Sequence, residues 1–127
     1  MSHEVIVPEQ DKAQYDRFHF APAVRTGNLI ICSGQIGTGS SGIPDTAEEE
    51  FHNAWRAIGR VLKEAGADYS QIVEYTSFHV NMHDHLGQFM AIRDEYLSEP
   101  WPAWTAIGTT ELAVPGARAE IRVVVAV

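Results

Sequence analysis

The chain has one cysteine and no long apolar run among its 127 residues, and both shortages limit the classes of protein to which it can belong. Cys32 cannot form an internal disulfide, and it lies in the apolar run Leu29–Cys32. We therefore expect a buried, unreactive thiol and a reducing, cytoplasmic setting. That run and residues 123–127 are far shorter than the ~20 apolar residues of a membrane-spanning helix. Residues 1–4 have neither a basic flank nor an apolar stretch behind them, which predicts no secretory signal.

Basic residues are also scarce, since nine lysines and arginines oppose 17 aspartates and glutamates and the net charge is −8. A chain of this charge repels the phosphate backbone of nucleic acids unless its basic residues cluster. They are scattered instead, and among them are Arg17, Arg25, Arg56, Arg60, Lys63, Arg93, Arg118 and Arg122. The charge pattern thus disfavours nucleic acid as the main partner.

Length and composition predict a single domain over residues 1–127. Hydrophobic residues make up 45% and charged residues 20% of the chain, which is typical of a globular protein. No internal repeat or linker interrupts the sequence. The Gly- and Ser-rich residues 37–42 are expected to form a surface loop, because they lack the Gly-Lys-Ser/Thr ending of a phosphate-binding loop.

Local patterns predict the element order β-β-β-α-β-α-β-β. Gly27 and Asn28 are typical of a hairpin turn between two strands. Thr46 followed by Glu49 predicts a capping box at the start of a long helix, and Gly66 predicts its end. Strands are expected over residues 4–7, 20–26, 29–33, 72–82, 103–110 and 118–127, and a second helix over residues 84–98.

The element order predicts an α+β fold in which both helices cover one face of a mixed sheet. The chain has no element left for the other face, so we expect self-association to cover it. In the strand over residues 72–82, even positions such as Ile72 and Phe78 are apolar. The odd positions are semi-polar and are expected at the subunit contact: Val73, Tyr75, Ser77, His79 and Asn81.

Three groups of residues could carry chemistry. His79, His83 and His85 could hold zinc, but no Cys or acidic ligand has standard spacing, so ordinary polar histidines are favoured. The aromatic segment around Trp101 and Trp104 fits either core packing or the wall of a ligand cleft. Glu120, in the middle of the last strand, fits either a salt bridge or a general acid/base.

Several short motifs, in this order, resemble those of the Rid (reactive intermediate deaminase) or YjgF-type family, which also carries the names L-PSP endoribonuclease and translation inhibitor. The similarity covers about residues 20–127. The motifs are Phe20-Ala21-Pro22-Ala23-Val24, Gly27-Asn28-Leu29, Ser33-Gly34-Gln35-Ile36, Ala65-Gly66-Ala67, Pro100-x-Pro102-Ala103 and Ala119-Glu120-Ile121.

The resemblance implies a chorismate-mutase-like, YjgF-type fold and a homotrimer, with three sheets around a central barrel and small-molecule clefts between subunits. It also implies hydrolysis of imine or enamine products of PLP enzymes, such as 2-aminoacrylate, without a cofactor or metal. Carried over by position, it implies a catalytic Glu120 and a substrate-binding set consisting of Phe20, Ser33, Gly34, Met90, Trp104 and Ala106.

The sequence departs from the family pattern at three of these positions. Trp104 replaces an arginine that clamps the substrate carboxylate, Phe20 replaces a tyrosine, and Met90 replaces an asparagine. An indole cannot form the charged, bidentate hydrogen bonds of a guanidinium, so the departures predict a substrate other than 2-aminoacrylate.

Three functions remain open from the sequence. The first is a divergent hydrolytic deaminase, which forms a homotrimer and binds a small-molecule ligand. The second is a non-catalytic trimer that binds or senses a metabolite. The third, an endoribonuclease, is disfavoured by the net charge.

Overall fold

Seven strands and three α-helices make up the computed structural model, which describes residues 3–127. The strands are β1 (Glu4–Ile6), β2 (Ala23–Thr26), β3 (Leu29–Cys32), β4 (Gln35–Ile36), β5 (Ile72–His79), β6 (Ala103–Gly108) and β7 (Ala119–Ala126). The helices are α1 (Lys12–Phe18), α2 (Ala47–Glu64) and α3 (Leu86–Arg93), with short 3-10 turns at Glu9–Asp11, Tyr69–Gln71 and Met82–Asp84.

The strands form one mixed sheet in the order β1-β2-β3-β7-β5-β6, with β4 also beside β7. The β5–β6 pair is parallel and the other pairs are antiparallel. The predicted α+β class with a mixed sheet is therefore confirmed. No helix within residues 3–127 is both long and apolar enough to cross a bilayer.

Helix α2 begins and ends where the sequence predicts. Thr46 Oγ1 accepts a hydrogen bond from the Glu49 backbone N–H at 3.2 Å, which caps the first turn. Gly66 adopts a φ of +78°, and the Ala67 N–H donates to the Leu62 carbonyl at 2.9 Å. This is a Schellman ending, and it needs the left-handed conformation that glycine adopts without strain.

The hydrophobic core lies between the sheet and helices α2 and α3. The predicted stripe of α2 is buried, and its largest members meet the apolar side of β3 and β7. Burial of each large side chain contributes about 1.5–3 kcal/mol. Residues without measurable exposure include Phe51, Trp55, Leu62, Phe89, Ile30, Ile121, Val123 and Val125.

Some predicted bounds were wrong. A third helix, α1, was not predicted because it buries no residue and so has no apolar stripe. The second predicted helix, over residues 84–98, is too long, because the corresponding helix α3 ends at Arg93. The predicted strand over residues 20–26 starts only at Ala23, and β5 stops at His79, shortly before Asn81 turns left-handed at φ +54°.

The prediction for the two faces of β5 was also wrong. Ile72 pairs with Val125 and Glu74 pairs with Val124, so Val73 is an extra residue in a β-bulge. The bulge shifts the alternation by one residue. Consequently Tyr75, Ser77 and His79 face the helices and are buried within one chain, and they do not form a subunit contact.

The other face of the sheet carries no helix, and we call it the open face. Register pairing places on it Glu74, Thr76, Phe78, Thr105, Ile107, Glu120, Arg122, Val124 and Ile31. Two of its apolar members are clearly exposed, Ile31 at 37% and Ile107 at 41%. Exposed apolar residues on a sheet face that no helix covers are typical of a contact with another protein surface.

Cys32 lies in the core at 4% exposure. Burial raises the pKa of its thiol to about 12. The prediction of a buried, unreactive thiol is confirmed, because the nucleophilic thiolate is absent at neutral pH.

Candidate functional site

Four of the predicted site residues come together at one end of the sheet, and we call them the Glu120 group: Phe20, Ser33, Gly34 and Glu120. Ser33 Oγ donates to the Ala21 carbonyl at 2.6 Å and so fixes the segment that carries Phe20. The Glu120 side chain lies directly over Gly34, where an added Cβ would collide with the Glu120 carboxylate. The absence of a side chain at Gly34 therefore makes room for this carboxylate.

The Glu120 carboxyl group is half-buried without a charged partner. Within residues 3–127, no basic side chain lies within ion-pair distance of it, so the alternative prediction of a cross-strand salt bridge is wrong. Burial raises the pKa of Glu120 above its ordinary value. A raised pKa makes this carboxylate a stronger base than an exposed glutamate, which suits a group that exchanges protons.

The remaining predicted residues lie on α3 and β6, and we call them the Trp104 group: Met90, Trp104 and Ala106. The Trp104 indole lies parallel to the Tyr75 ring, with 5.7 Å between centroids and 8° between planes. It also stacks on Phe89, the neighbour of Met90 on α3. Ala106 pairs with Ser77 across the β5–β6 ladder. The core-packing interpretation of Trp104 is confirmed, because this partly exposed residue packs against the core, and the ligand-cleft interpretation stays a prediction.

The two groups lie on opposite faces of the sheet. Trp104 pairs with Tyr75, whose side chain points to the helices, whereas Glu120 pairs with Phe78 on the open face. A cavity of about 640 Å³ lies between residues 110–118 and the starts of α2 and α3, and neither Glu120 nor Trp104 lines it. One chain therefore does not bring the Glu120 and Trp104 groups into a single pocket.

Arg93 is a charged neighbour of the Trp104 group that sequence reasoning missed. Its guanidinium carbon lies 5.2 Å from the centroid of the Trp104 ring and 6.0 Å from that of Trp101. Arg93 Nη1 donates to the Tyr75 hydroxyl at 3.3 Å, and Nε donates to Asp94 Oδ1 at 3.0 Å. No sequence signal marks this arginine, because the contact depends on how α3 packs against β6.

A buried chain of polar side chains leads away from Trp104. The indole N–H donates to Ser77 Oγ at 2.8 Å, and His79 Nε2 lies 2.7 Å from the same oxygen. His79 Nδ1 lies 3.1 Å from His85 Nε2. His83 is exposed and does not join this chain among the described residues. Within residues 3–127, no three metal-binding side chains converge.

Donor chemistry sets the direction of one contact in this chain. Because an indole N–H can only donate, the Ser77 hydroxyl accepts from Trp104, and its other lone pair and its O–H allow it either to accept from His79 Nε2 or to donate to it. The contact between His79 Nδ1 and His85 Nε2 needs one of these two nitrogens without a proton, so both histidines cannot be charged while it is kept.

We expect the histidine pair to make stability fall in mild acid. Burial, followed by the neighbouring His85, lowers the pKa of His79 from its ordinary 6.5 to about 4, and burial also lowers the pKa of His85. Glu50 and Asp84 oppose the shift of His85 and Arg118 adds to it. The unfolded chain therefore binds protons first, and up to about 3 kcal/mol of stability is lost between pH 6.5 and 4.

Urea unfolding at a series of pH values measures this loss. His79→Gln, which does not titrate, should flatten the dependence between pH 6.5 and 4, and His83→Gln is the matched control at an exposed position. Equal pH slopes for the wild type and His79→Gln would contradict the assignment.

Glu50 is a second residue whose role the sequence prediction missed. Its buried carboxylate accepts from Arg118 Nη1 at 2.8 Å and from the backbone N–H groups of Arg118 and Ala119 at 2.7 and 3.3 Å. The charged pair ties the first turn of α2 to the start of β7, the strand of Glu120. Helical spacing from Glu50 to Ala54, Ala57 and Val61 could have indicated its burial.

Comparison with known proteins decides the family. Residues 12–127 match the family model described as endoribonuclease L-PSP. The chain belongs to this family. The L-PSP family assignment confirms the resemblance to Rid or YjgF-type proteins, and a solved structure named protein YJGH confirms the fold, with a TM-score of 0.88 and 28% identity over 100% of this chain and 98% of that one.

Two curated members of the L-PSP family show the range of names among its relatives. The RutC family protein YjgH of Escherichia coli is 31% identical over 121 residues, which is 94% of this chain and 91% of the relative. A 2-iminobutanoate/2-iminopropanoate deaminase of Dermatophagoides farinae is 32% identical over 118 residues, which is 85% of each chain. The family is thus compatible with a deaminase-like or small-molecule-binding role.

Proposed function

We propose that the protein is a homotrimer that hydrolyses an imine or enamine in clefts between its subunits. The observation that carries the proposal is the Glu120 carboxyl group, half-buried over Gly34 with a raised pKa and no charged partner. Relatives named as imine deaminases support the same chemistry. The ligand occupies the space between the Glu120 group of one subunit and the Trp104 group of its neighbour.

The opposite placement of the two groups supports a cleft between subunits. The Glu120 group lies at the open face, which has exposed apolar residues and needs a protein cover. Trp104 and Ala106 of the Trp104 group lie on β6, the edge strand of the sheet. When the open face of one subunit meets the edge of another, both groups border the same space. A homotrimer closes this contact by rotation, as cyclic oligomers do.

In the proposed reaction, Glu120 acts first as a base and then as an acid. It takes a proton from water while the water oxygen bonds to the C=N carbon, and it returns that proton to the nitrogen to give a carbinolamine. Glu120 then takes the proton of the carbinolamine hydroxyl and gives it to the nitrogen as the C–N bond breaks, so that ammonia leaves, the oxygen becomes a carbonyl and the carboxylate is regenerated. Atoms and charge balance without a cofactor.

A non-catalytic binding or sensing trimer is the second candidate. Trp104 at the place of the family arginine favours it, because an aromatic wall without that clamp binds a ligand but positions an imino acid less well. Ribonuclease activity is not proposed, since the net charge of −8 opposes RNA binding.

Ammonia release separates the two candidates. 2-Aminoacrylate and imines of larger amino acids are generated in the assay by an upstream enzyme, with an arginine-bearing deaminase of the family as control. We expect turnover of 2-aminoacrylate to be on the order of 100-fold below that control, because the bidentate contact that the family arginine makes from position 104 is missing. We also expect accelerated ammonia release from at least one larger imine. Ligand binding without any acceleration would reject the hydrolase and favour the sensor.

A further inference from the structure

Arg93 lies between two tryptophans at the edge of the sheet, and this arrangement is unusual for a residue that only stabilises the fold. Its side chain is 18% exposed. The Trp101 ring is 55% exposed, although exposed tryptophans are rare, and Pro100 and Pro102 hold its backbone on both sides. An aromatic surface and a charged group therefore reach the same patch of solvent.

The guanidinium keeps unused hydrogen-bond donors. Of its five N–H groups, one points to the Tyr75 hydroxyl, and Nε and Nη2 each lie 3.0 Å from Asp94 Oδ1. The other N–H groups have no acceptor within residues 3–127. An arginine with a fixed plane and unused donors is suited to bind a planar anion, above all a carboxylate.

Asp94 is a competing anion rather than a permanent partner. Its side chain is 52% exposed, so water screens its attraction for Arg93. Arg93 and Asp94 are sequence neighbours, and the contact holds no other element in place. A ligand carboxylate can thus replace or share this ion pair without disturbing the fold.

We propose that Arg93, Trp101 and Trp104 form the specificity-determining site for a ligand that has both a carboxylate and an aromatic ring. Arg93 binds the carboxylate through its unused N–H groups, and the exposed face of Trp101 stacks on the ring. Trp104, held by its hydrogen bond to Ser77, fixes the plane of the guanidinium. The inference rests on the proposed cleft and names the substrate class for it: an aromatic imino acid.

Unreactive acids test the site without catalysis. Isothermal titration calorimetry on the assembled protein compares three compounds. Phenylacetate carries both a carboxylate and an aromatic ring, acetate carries only the carboxylate, and phenylacetamide carries only the ring. We expect phenylacetate to bind at least about tenfold more tightly than either fragment, because a charge-assisted contact and a stacking contact add. Equal affinities for phenylacetate and phenylacetamide, or no binding of phenylacetate at millimolar concentration, would overturn the proposal.

Variants assign the carboxylate to Arg93. Arg93→Gln should weaken phenylacetate binding at least about tenfold and leave phenylacetamide unchanged, and Arg93→Lys should recover part of the loss. Asp94→Asn should tighten phenylacetate binding, because it removes the competing anion. Arg17→Gln is the matched control, since Arg17 also lies 5.2 Å from an aromatic ring, that of Phe18, on an exposed helix.

The outcomes separate this inference from the proposed reaction. If Arg93→Gln loses thermal stability but binds phenylacetate as the wild type does, Arg93 is structural and the inference fails. If phenylacetate binding depends on Arg93 and no imine releases ammonia, the site stands and the hydrolase proposal fails. Release of ammonia from aliphatic imines alone would support the hydrolase and reject the aromatic substrate class.

Discussion

Glu120→Gln is expected to lower imine hydrolysis at least about 100-fold and to leave ligand binding intact. General acid/base catalysis contributes about 10²–10⁴ in rate, and glutamine keeps the shape of the side chain but cannot exchange a proton. The measurement is kcat for ammonia release together with the calorimetric affinity for an unreactive ligand. Glu74→Gln is the matched control, because Glu74 lies on the same open face and the change removes the same charge. Equal losses in both variants would contradict a catalytic role for Glu120.

A mixing experiment extends this prediction to the subunit contact. Glu120→Gln and Arg93→Gln each damage one half of the proposed cleft, on opposite faces of the same chain. A 1:1 mixture, dissociated and reassembled, should regain about a quarter of wild-type activity. Each cleft needs an intact Glu120 from one subunit and an intact Arg93 from its neighbour, and in random assembly each of these is present in half of the cases. If the mixture stays as inactive as the separate variants, the cleft does not lie between subunits.

Glu50→Ala is expected to lower the free energy of unfolding by about 3–5 kcal/mol, because it removes one partner of a buried ion pair. The change leaves two backbone N–H groups of residues 118 and 119 without their acceptor and opens a cavity beneath α2. Urea unfolding at fixed protein concentration measures the loss. Glu50→Gln keeps the volume and one acceptor, so its cost should be smaller.

The neighbouring glutamate provides the control for Glu50. Glu49→Ala removes the same charge from the same turn of α2, but Glu49 is exposed, so the expected change is within about 0.5 kcal/mol. A loss below about 1 kcal/mol for Glu50→Ala would show that water replaces the carboxylate at no great cost.

Features that depend on local patterns could be predicted from the sequence. The cap at Thr46, the glycine stop at Gly66 and the apolar stripe between them define α2 without reference to the rest of the chain. The motifs that resemble those of the family predicted the YjgF-type fold. Helix α1 escaped prediction because it has no buried side, and amphipathic spacing is the signal by which helices are found.

The candidate site could be predicted less well from the sequence, because its residues come into contact through packing between distant elements. The burial of Glu50 follows from helical spacing, but its partner Arg118 is 68 residues away in the sequence. Arg93, at the end of α3, meets Trp104 on β6 only through tertiary packing. Alternation along β5 misplaced His79, since one extra residue upstream exchanges the two faces of all residues that follow.

That extra residue, Val73, has a consequence for which changes of length the chain can tolerate. Its side chain is 47% exposed, so many other residues should be acceptable there. Its deletion should also be tolerated, because Ile72 would still pair with Val125 and Glu74 with Val124, and the regular ladder would keep Ser77 and His79 on the helix side. One residue inserted between Tyr75 and Ser77 is a different matter, because a regular ladder would then turn Ser77 and His79 outward. The hydrogen-bond chain behind Trp104 would be lost without any substitution in it. At position 73 neither the amino acid nor its presence matters much, whereas the number of residues between Tyr75 and Ser77 decides which side chains support the proposed ligand site.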